Sequence, residues 1–413
     1  ILVFVFASCN DWLAVDMEDG MLEDKLFESN EGFQSALNGV YNRLNENYAS
    51  TLTMTVLDVM AQYYDVRQNS DHLFHVYANY EFSEPSFENT SDNLWMRQYS
   101  QIANLNTLLG HIDSENSAIK EIYYPFIKGE ALGLRAFLHF DLLRLYGPVY
   151  SVTPTGKAIP YRTSFDQKAT PVLPAEKVIE HILTDLHEAD SLLEVSDNKS
   201  SLLEISDPKN FDLPEYYSKD YNAFEDSRQL RMNTCAVKAM LARVYCYKGD
   251  AESKRKALTY AYDVVESNYF ALYEDNSNPV LFAEHIFGLN VYELDKLLED
   301  QGNYKIRIPE GQLSDGVYIM RTKANFAEHF ETGSRGTFDI RANTSAFKNV
   351  AGNGSKEYKL CLKYDQSSYT SNASKYYGKD VLPLIRLPEM YYIIAECETD
   401  KNKSAEALNT VMW

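Results

Sequence analysis

The sequence is short of basic residues, and this shortage excludes one class of partner. Only 39 lysines and arginines stand against 60 acidic residues among 413, so the formal net charge is −21. Such a surface repels phosphate backbones, and we expect no nucleic-acid partner. Beyond a short N-terminal run, no apolar stretch approaches the roughly 20 residues of a membrane-spanning helix. With 45% hydrophobic residues, the chain can bury a core as one large domain or two to three smaller ones.

Tryptophan is also scarce, and tyrosine takes its place. The sequence contains 3 tryptophans, 20 phenylalanines and 31 tyrosines. A tyrosine side chain combines an apolar face with a polar hydroxyl, which suits partly hydrated surfaces that contact a ligand or a partner. The tyrosine excess is therefore a first indication of a binding function.

The short motifs of common enzyme classes are missing. The sequence contains no HExxH, Walker A, GxSxG or CxxC motif. His72 and His75, beside Asp71, have a spacing compatible with metal ligation. Surface histidines next to a carboxylate are commoner than two-histidine metal sites, so we expect no metal and no cofactor. Carboxylate pairs are inevitable among 60 acidic residues, and a glycoside hydrolase stays open as an alternative.

The first nine residues are similar to the end of a secretory signal peptide. An apolar run from Ile1 to Phe6 is followed by Ala7 and Ser8, and then by Cys9. Small residues directly before a cysteine are typical of a lipoprotein cleavage site. We therefore expect residues 1–9 to be a residual signal peptide, with Cys9 lipidated as the first mature residue. The sequence lacks an initiator methionine and stops inside a predicted helix, so we expect both ends to be truncated.

The other four cysteines are Cys235, Cys246, Cys361 and Cys397. Cys235 and Cys246 fall eleven residues apart in one predicted helix, which separates them by about 16 Å. They cannot bridge each other at that distance. The sequence predicts that both are buried small apolar residues.

Helical periodicity dominates the chain. Apolar residues recur with 3-4 spacing in the segments 33–44, 94–112 and 175–193, and the run 129–146 is apolar on most sides. Two helical hairpins, at 233–268 and 387–409, place small residues opposite aromatic ones, as in tetratricopeptide-like units. The segment 147–174 contains five prolines and predicts an extended loop. The segment 269–380 shows few sustained periods, and long loops of this kind usually carry function.

Seven motifs occur in a fixed order along the chain, at residues 9–13, 32–41, 95–108, 130–147, 236–250, 284–287 and 386–396. In this order and spacing they resemble the SusD/RagB family of surface glycan-binding lipoproteins. The resemblance covers nearly the whole chain. Met412 departs from it, because the family usually has arginine there, and the family's later C-terminal helices are absent from the sequence.

The resemblance implies a cell-surface lipoprotein of a Gram-negative bacterium that binds oligosaccharide without catalysis. The implied partners are a SusC-like TonB-dependent transporter, which receives the oligosaccharide, and the outer membrane, which holds the lipid anchor. The helix pairs would dock on the transporter, and the loop-rich side would meet the glycan. A lid for a transporter of peptides or other nutrients is a further alternative.

We therefore expect a mainly α fold in which tetratricopeptide-like helix pairs form a scaffold. Residues 10–270 and 381–413 are assigned to this scaffold, and residues 271–380 to a loop-rich, largely irregular lobe on the ligand side. All of them belong to one domain overall.

Two tyrosine-rich clusters are the candidate binding sites. Sugars have apolar C–H faces and hydroxyl rims, so their sites need flat aromatic platforms with polar groups beside them. The resembled family takes its ligand residues from broadly these two places. The predicted glycan-binding residues are Tyr63, Tyr64, Arg67, Asp71, Tyr77 and Tyr80 in the first cluster and Tyr292, Tyr304, Arg307 and Tyr318 in the second. Trp95, Tyr146 and Tyr245 follow helical faces and are predicted to belong to the core.

Overall fold

The computed structural model describes most of the chain. The described residues are 23–66, 72, 74–114, 117–166, 168–197, 199, 228–272, 280–294, 297, 320–330, 347–351, 357–361 and 380–412. Within them, no helix combines the length and the apolar character needed to cross a lipid bilayer.

Helices dominate these residues. The α-helices are α1 (Asn30–Asn47), α2 (Leu57–Met60), α3 (His75–Ala78), α4 (Pro85–Ile112), α5 (Tyr124–Tyr146), α6 (Ala175–Ser196), α7 (Thr234–Lys248), α8 (Ala251–Glu266), α9 (Lys323–His329), α10 (Leu387–Cys397) and α11 (Lys401–Met412). A π-helix, Tyr48–Val56, joins α1 to α2. Short 3-10 turns lie at Arg228–Leu230 and Phe282–Glu284.

The strands are short, and all of their pairings are antiparallel. They are β1 (Lys157–Pro160), β2 (Val172–Pro174), β3 (His285–Asn290), β4 (Met320–Thr322), β5 (Phe347–Ala351), β6 (Glu357–Cys361) and β7 (Val381–Arg386). The strands β1 and β2 form a hairpin within the predicted extended loop. The strand β6 lies between β4 and β5 in a three-stranded sheet, which periodicity did not predict.

The long helices pack in succession. The helix α1 packs on α4, α4 on α5, α5 on α6, α6 on α7, α7 on α8, α8 on α10, and α10 on α11. An array in which each helix contacts mainly its neighbours is the arrangement of tetratricopeptide-like repeats. The prediction of a mainly helical fold with such pairs is confirmed.

The α7–α8 hairpin shows how local sequence sets the ends of these helices. The Asn233 side chain caps α7 by accepting from the Ala236 N–H (2.8 Å). Gly249 ends α7 in the left-handed region (φ +77°), where a side chain would be strained, and its N–H donates to the Tyr245 carbonyl. The Asp250 side chain then caps α8 by accepting from the Glu252 and Ser253 N–H groups. Two residues therefore suffice to turn the chain.

The helix α5 lies at the centre of the core. Every residue from Gly129 to Leu143 is buried, including several with charged or polar side chains. One of these, Arg135, donates to both carboxylate oxygens of Asp185 (2.7 and 2.8 Å) and to the Asn106 amide oxygen (2.9 Å). The run that is apolar on most sides in the sequence therefore forms the most continuously buried helix segment among the described residues.

A second buried charge, Glu130, joins α5 to α1 and to the turn before α7. Its carboxylate accepts from Arg228 Nη1 (2.6 Å), from Arg231 Nε (3.1 Å) and from the Tyr41 hydroxyl (2.6 Å). Arg228 also contacts Asp197, at the end of α6. Burial acts to raise the pKa of Glu130, but the charges of Arg231 and Arg228 outweigh it and hold that pKa below its usual value.

The strands β3 and β7 pair with each other, so the two ends of the segment 291–380 lie side by side. We call this pair of strands the neck. His285 pairs with Arg386 at one end of this ladder, and Asn290 pairs with Val381 at the other. Just beyond the ladder, the Val291 N–H donates to the Asp380 carbonyl (2.6 Å). The chain therefore leaves the helical array and returns to it at neighbouring points.

Candidate functional site

The first tyrosine-rich cluster follows the π-helix directly. A π-helix, which has i→i+5 hydrogen bonds, is rare and frequently lies at a functional site. The helix α2 comes next, and residues 61–66 then turn towards α3. Residues 61–66 and 74–82 therefore lie between α2 and the start of α4 along the chain.

Three rings in this segment are open to solvent. The exposed fraction is 52% for Tyr63, 42% for Tyr80 and 54% for Phe82. The centroids of the Tyr80 and Phe82 rings lie 6.2 Å apart. We call Tyr63, Tyr80 and Phe82 the ring cluster. Phe82 is not among the residues predicted from the sequence, although its place two residues after Tyr80 could have suggested it.

The backbone adopts an unusual conformation at two residues, one next to Tyr63 and the other within the ring cluster. Gln62 (φ +61°) and Tyr80 (φ +57°) both lie in the left-handed region, which non-glycine residues seldom enter. The Gln62 amide donates to the Ala78 carbonyl (2.8 Å), and the Tyr80 hydroxyl donates to the Met60 carbonyl (2.6 Å). These hydrogen bonds join the two turns and fix the direction of the Tyr80 ring. Backbone strain held in place by its surroundings is characteristic of ligand sites.

Two of the predicted platform residues are buried. The exposed fraction is 6% for Tyr64 and 8% for Tyr77. The Tyr77 ring packs between Phe74 (5.8 Å) and Phe87 (5.5 Å), and its hydroxyl hydrogen-bonds Thr90 (2.9 Å). In this arrangement neither ring offers an open face to a ligand. Sequence spacing does not distinguish them from Tyr63, because helical periodicity is lost in this segment.

The ring cluster also contacts α9, which lies between β3 and β7 along the chain. The Tyr63 ring lies 6.2 Å from the His329 ring, edge to face, at the C-terminal end of α9. This contact joins the ring cluster to a helix from the part of the chain between β3 and β7.

Tyr292 is the most exposed predicted site residue in the described part of the chain. Its exposed fraction is 81%. It lies near the end of α1, because the Asn290 carbonyl accepts from the Asn45 amide (2.8 Å). Among the described residues, no ring contact or hydrogen bond joins Tyr292 to the ring cluster. The predicted residues Arg67, Asp71, Tyr304, Arg307 and Tyr318, and the lipidation site Cys9, lie outside the described residues.

The two histidines considered for a metal have protein partners. The Nδ1 atom of His72 accepts from the Phe74 N–H (3.0 Å), and the His75 ring contacts the Asn79 amide (3.2 Å). No group of three or more potential metal ligands occurs within the part of the chain that the structure describes.

A cavity of about 660 Å³ lies elsewhere, between α4, α5 and residues 163–165. Its charged residues already have partners inside the protein. Lys128 contacts Asp113 (3.0 Å) and Glu188 (2.9 Å), and Arg135 is held by Asp185. A ligand there would have to break these contacts, so the ring cluster is the better candidate.

Two family models match the chain and together cover more than two thirds of it. The first, described as starch-binding and associating with the outer membrane, matches residues 11–205, and the second, the SusD family, matches residues 317–412. The chain belongs to the SusD/RagB family. The family predicted from the sequence motifs is confirmed.

Individual relatives of the family are distant. A SusD-like protein of Formosa agariphila is 24% identical over 274 residues, which cover 65% of this chain and 44% of that protein. The chain therefore spans less than half of that curated relative.

Solved structures of the SusD/RagB family share the fold. A SusD superfamily protein of Bacteroides thetaiotaomicron has a TM-score of 0.65 at 19% identity, over 92% of this chain and 79% of that one. A SusD-like carbohydrate binding protein of Bacteroides vulgatus also has a TM-score of 0.65, at 20% identity, over 93% and 75%. Surface glycan-binding protein A of Bacteroides fluxus has a TM-score of 0.61 at 15% identity, over 93% and 81%.

Proposed function

We propose that this protein captures oligosaccharides at the cell surface and delivers them to a SusC-like TonB-dependent transporter without cleaving them. The observation that carries the proposal is the ring cluster, in which Tyr63, Tyr80 and Phe82 are exposed on a turn braced by hydrogen bonds. Exposed flat rings can stack on the C–H faces of sugars.

The site extends beyond the ring cluster in this proposal. Because Tyr63 contacts α9, a ligand on the ring cluster also reaches the segment 291–380. We therefore keep Tyr292, Tyr304, Arg307, Tyr318, Arg67 and Asp71 as proposed ligand residues. The division into a scaffold (10–270 and 381–413) and a ligand-side lobe (271–380) belongs to the same proposal.

Removing an exposed ring is expected to weaken glycan binding. With a polysaccharide that the parent protein retains in an affinity gel, Tyr63→Ala and Tyr80→Ala should each weaken binding about fivefold or more, which corresponds to ~1 kcal/mol of stacking. Tyr63→Phe keeps the ring and should retain most of the affinity. Thermal unfolding of each variant separates loss of binding from loss of folding.

The matched control is Tyr392→Ala. Tyr392 is as exposed as Tyr80, at 44%, but it lies on α10 of the helical array. This variant should bind glycan like the parent. If Tyr63→Ala and Tyr80→Ala bind like Tyr392→Ala, the ring cluster is not the site. Release of reducing ends from the bound polysaccharide would contradict the non-catalytic part of the proposal.

Lipidation of Cys9 is the proposed route of attachment to the outer membrane. In cells fed radiolabelled palmitate, the full-length protein should incorporate the label and sediment with outer membranes. Cys9→Ala should abolish both, because the acyl chains are attached at that cysteine. Cys235→Ala is the control and should remain labelled. A Cys9→Ala protein that is still labelled and membrane-bound would contradict this assignment.

A further inference from the structure

Two residues of the ring cluster offer a ligand their aromatic rings and no unoccupied hydroxyl. The Tyr80 hydroxyl already donates to the Met60 carbonyl (2.6 Å). Phe82 has no hydroxyl, and its ring is held against the Phe87 ring in a T-shaped contact with centroids 4.9 Å apart. A ligand at this end of the ring cluster therefore contacts the exposed rings themselves.

Aromatic rings discriminate between ligands by charge. The face of such a ring carries negative charge, and its edge carries positive charge. The C–H groups of a sugar can lie against the face, and cations are attracted to it. A carboxylate or sulfate group is repelled there, so the exposed rings by themselves disfavour an anionic sugar.

The residues around the ring cluster are also acidic. Between positions 57 and 96, the described residues include six acidic residues and no lysine or arginine. The six are Asp58, Asp65, Glu81, Glu84, Glu88 and Asp92. Glu81 lies between Tyr80 and Phe82 along the chain, and Glu84 follows two residues after Phe82. Negative charge therefore lies directly beside the exposed rings.

Three of these carboxylates are open to solvent. Glu81, Glu84 and Glu88 are all exposed. Glu81 lies 4.0 Å from Nε2 of His75, and within the described residues no lysine or arginine forms an ion pair with any of the three. Their charges can therefore act on a ligand that approaches the ring cluster.

The helix α9 adds a further carboxylate on the side of Tyr63. The exposed Glu328 directly precedes His329, whose ring contacts the Tyr63 ring. Acidic residues thus follow the ring cluster both along the chain and across the contact with α9.

We propose that the ring cluster binds uncharged oligosaccharides and excludes those that carry uronate or sulfate groups. This inference rests on the proposed function and names the class of glycan that the same site binds. The rings make the contact, and the glutamates lower the affinity for anionic ligands from a short distance. In water at low salt, a carboxylate about 10 Å from an anionic group weakens binding by less than twofold, so three together weaken it about threefold.

Graded oxidation of a bound polysaccharide tests the effect of ligand charge. The starting material is an uncharged hexose polysaccharide that the parent protein retains in an affinity gel. Oxidation of part of its primary alcohols creates uronates on the same backbone. At pH 7.5 in 20 mM NaCl, where the Debye length is about 20 Å, affinity should fall about threefold or more. In 500 mM NaCl the Debye length is about 4 Å, and most of this loss should disappear.

The methyl ester of the oxidised polysaccharide is the control for the chemical change. It has the same oxidised carbon but no charge. Its retention should therefore return towards that of the unoxidised polysaccharide. A methyl ester that is retained as poorly as the free uronate would show that a lost hydroxyl causes the effect, and would overturn the inference.

A triple variant, Glu81→Gln with Glu84→Gln and Glu88→Gln, tests the role of the protein charges. The quantity measured is the ratio of the affinity for oxidised polysaccharide to the affinity for unoxidised polysaccharide. In 20 mM NaCl this ratio should rise about threefold relative to the parent protein. Thermal unfolding shows whether the variant is folded.

A second triple variant removes the same number of charges elsewhere. Glu252→Gln, Glu266→Gln and Glu406→Gln alter exposed residues of α8 and α11, in the helical array. This variant should keep the ratio of the parent protein. Equal ratios for the two triple variants would show that the glutamates beside the ring cluster do not select against anions, and would overturn the inference.

The remaining outcomes separate this inference from the proposed function. Equal or stronger retention after oxidation would overturn the inference, and stronger retention would indicate that a cationic residue such as Arg67 recognises carboxylates. A protein that retains only anionic polysaccharides would also overturn it, while the proposed capture of glycans would stand. A protein that retains no polysaccharide of either kind would contradict the proposed function, and the inference would fall with it.

Discussion

Replacing Glu130 with alanine is expected to destabilise the protein by about 3–5 kcal/mol, as for other buried ion pairs that lose one partner. The substitution leaves the fully buried Arg228 without its 2.6 Å carboxylate contact and removes the acceptor of the Tyr41 hydroxyl. Urea unfolding followed by circular dichroism at 222 nm measures the change. The effect should appear as a lower midpoint with an unchanged denaturant slope.

Two further variants make this prediction specific. Glu252→Ala removes the carboxylate of an exposed ion pair with Lys256 (3.1 Å) and should leave the midpoint unchanged within error. Glu130→Gln keeps the shape of the side chain but loses its charge, so it should lie between the parent and Glu130→Ala. If Glu130→Ala and Glu252→Ala unfold at the same midpoint, the buried network does not hold α1, α5 and the turn before α7 together.

Mild acid is expected to destabilise the protein through two buried histidines. Burial lowers the pKa of His139 to about 3 and that of His285 to about 3, from an ordinary value of 6.5. Below pH 6.5 the unfolded chain therefore binds a proton at each of these two histidines, whereas the folded chain leaves both neutral. The stability that each neutral imidazole provides is complete above pH 6.5 and is lost as the pH falls from 6.5 towards 3. At pH 5 the loss should be about 2 kcal/mol for each histidine.

The hydrogen bonds of His139 explain why it stays neutral. Its Nδ1–H donates to the Arg135 carbonyl (2.9 Å), and its Nε2 accepts from the Arg162 N–H (3.1 Å). Protonation of Nε2 would turn this acceptor into a second donor facing an N–H group. Because the pKa of Glu130 is lowered from 4.5, its contribution is still present at pH 5 and does not mask the effect.

Urea unfolding at pH 7.5 and pH 5.0 measures the acid effect. His139→Gln should reduce the parent's difference in stability between the two pH values, since it removes one of the histidines whose pKa is lowered by burial. His111→Gln is the control, because His111 lies at the end of α4 and its ring contacts Glu23 outside the core. A His139→Gln protein that keeps the full pH difference would show that another group causes the acid response.

The sequence predicted the helices because their signals are local. The run 129–146 is apolar on most sides, and the structure places it in the middle of the core as α5. The α7–α8 hairpin could also be predicted from local signals, since Gly249 marks the end of one helix and Asp250 the start of the next.

Contacts between residues that are far apart in the sequence could not be predicted in this way. Nothing near Glu130 in the sequence indicates that Arg228 becomes its partner, and nothing near His285 indicates that β3 pairs with β7. The candidate site was predicted only as a region. Tyr63 and Tyr64 are neighbours of the same type, yet one is open and the other buried, because the turn at Gln62 decides which ring faces the core.

The neck formed by β3 and β7 has a consequence for how such proteins can diversify. Because the chain departs at Asn290 and resumes at Val381 on adjacent strands, the intervening residues can lengthen, shorten or change identity without altering the register of the helices. Loop length costs little free energy once its two ends are fixed together. Insertions, deletions and substitutions can therefore accumulate between these two strands, while the surrounding helices retain their packing.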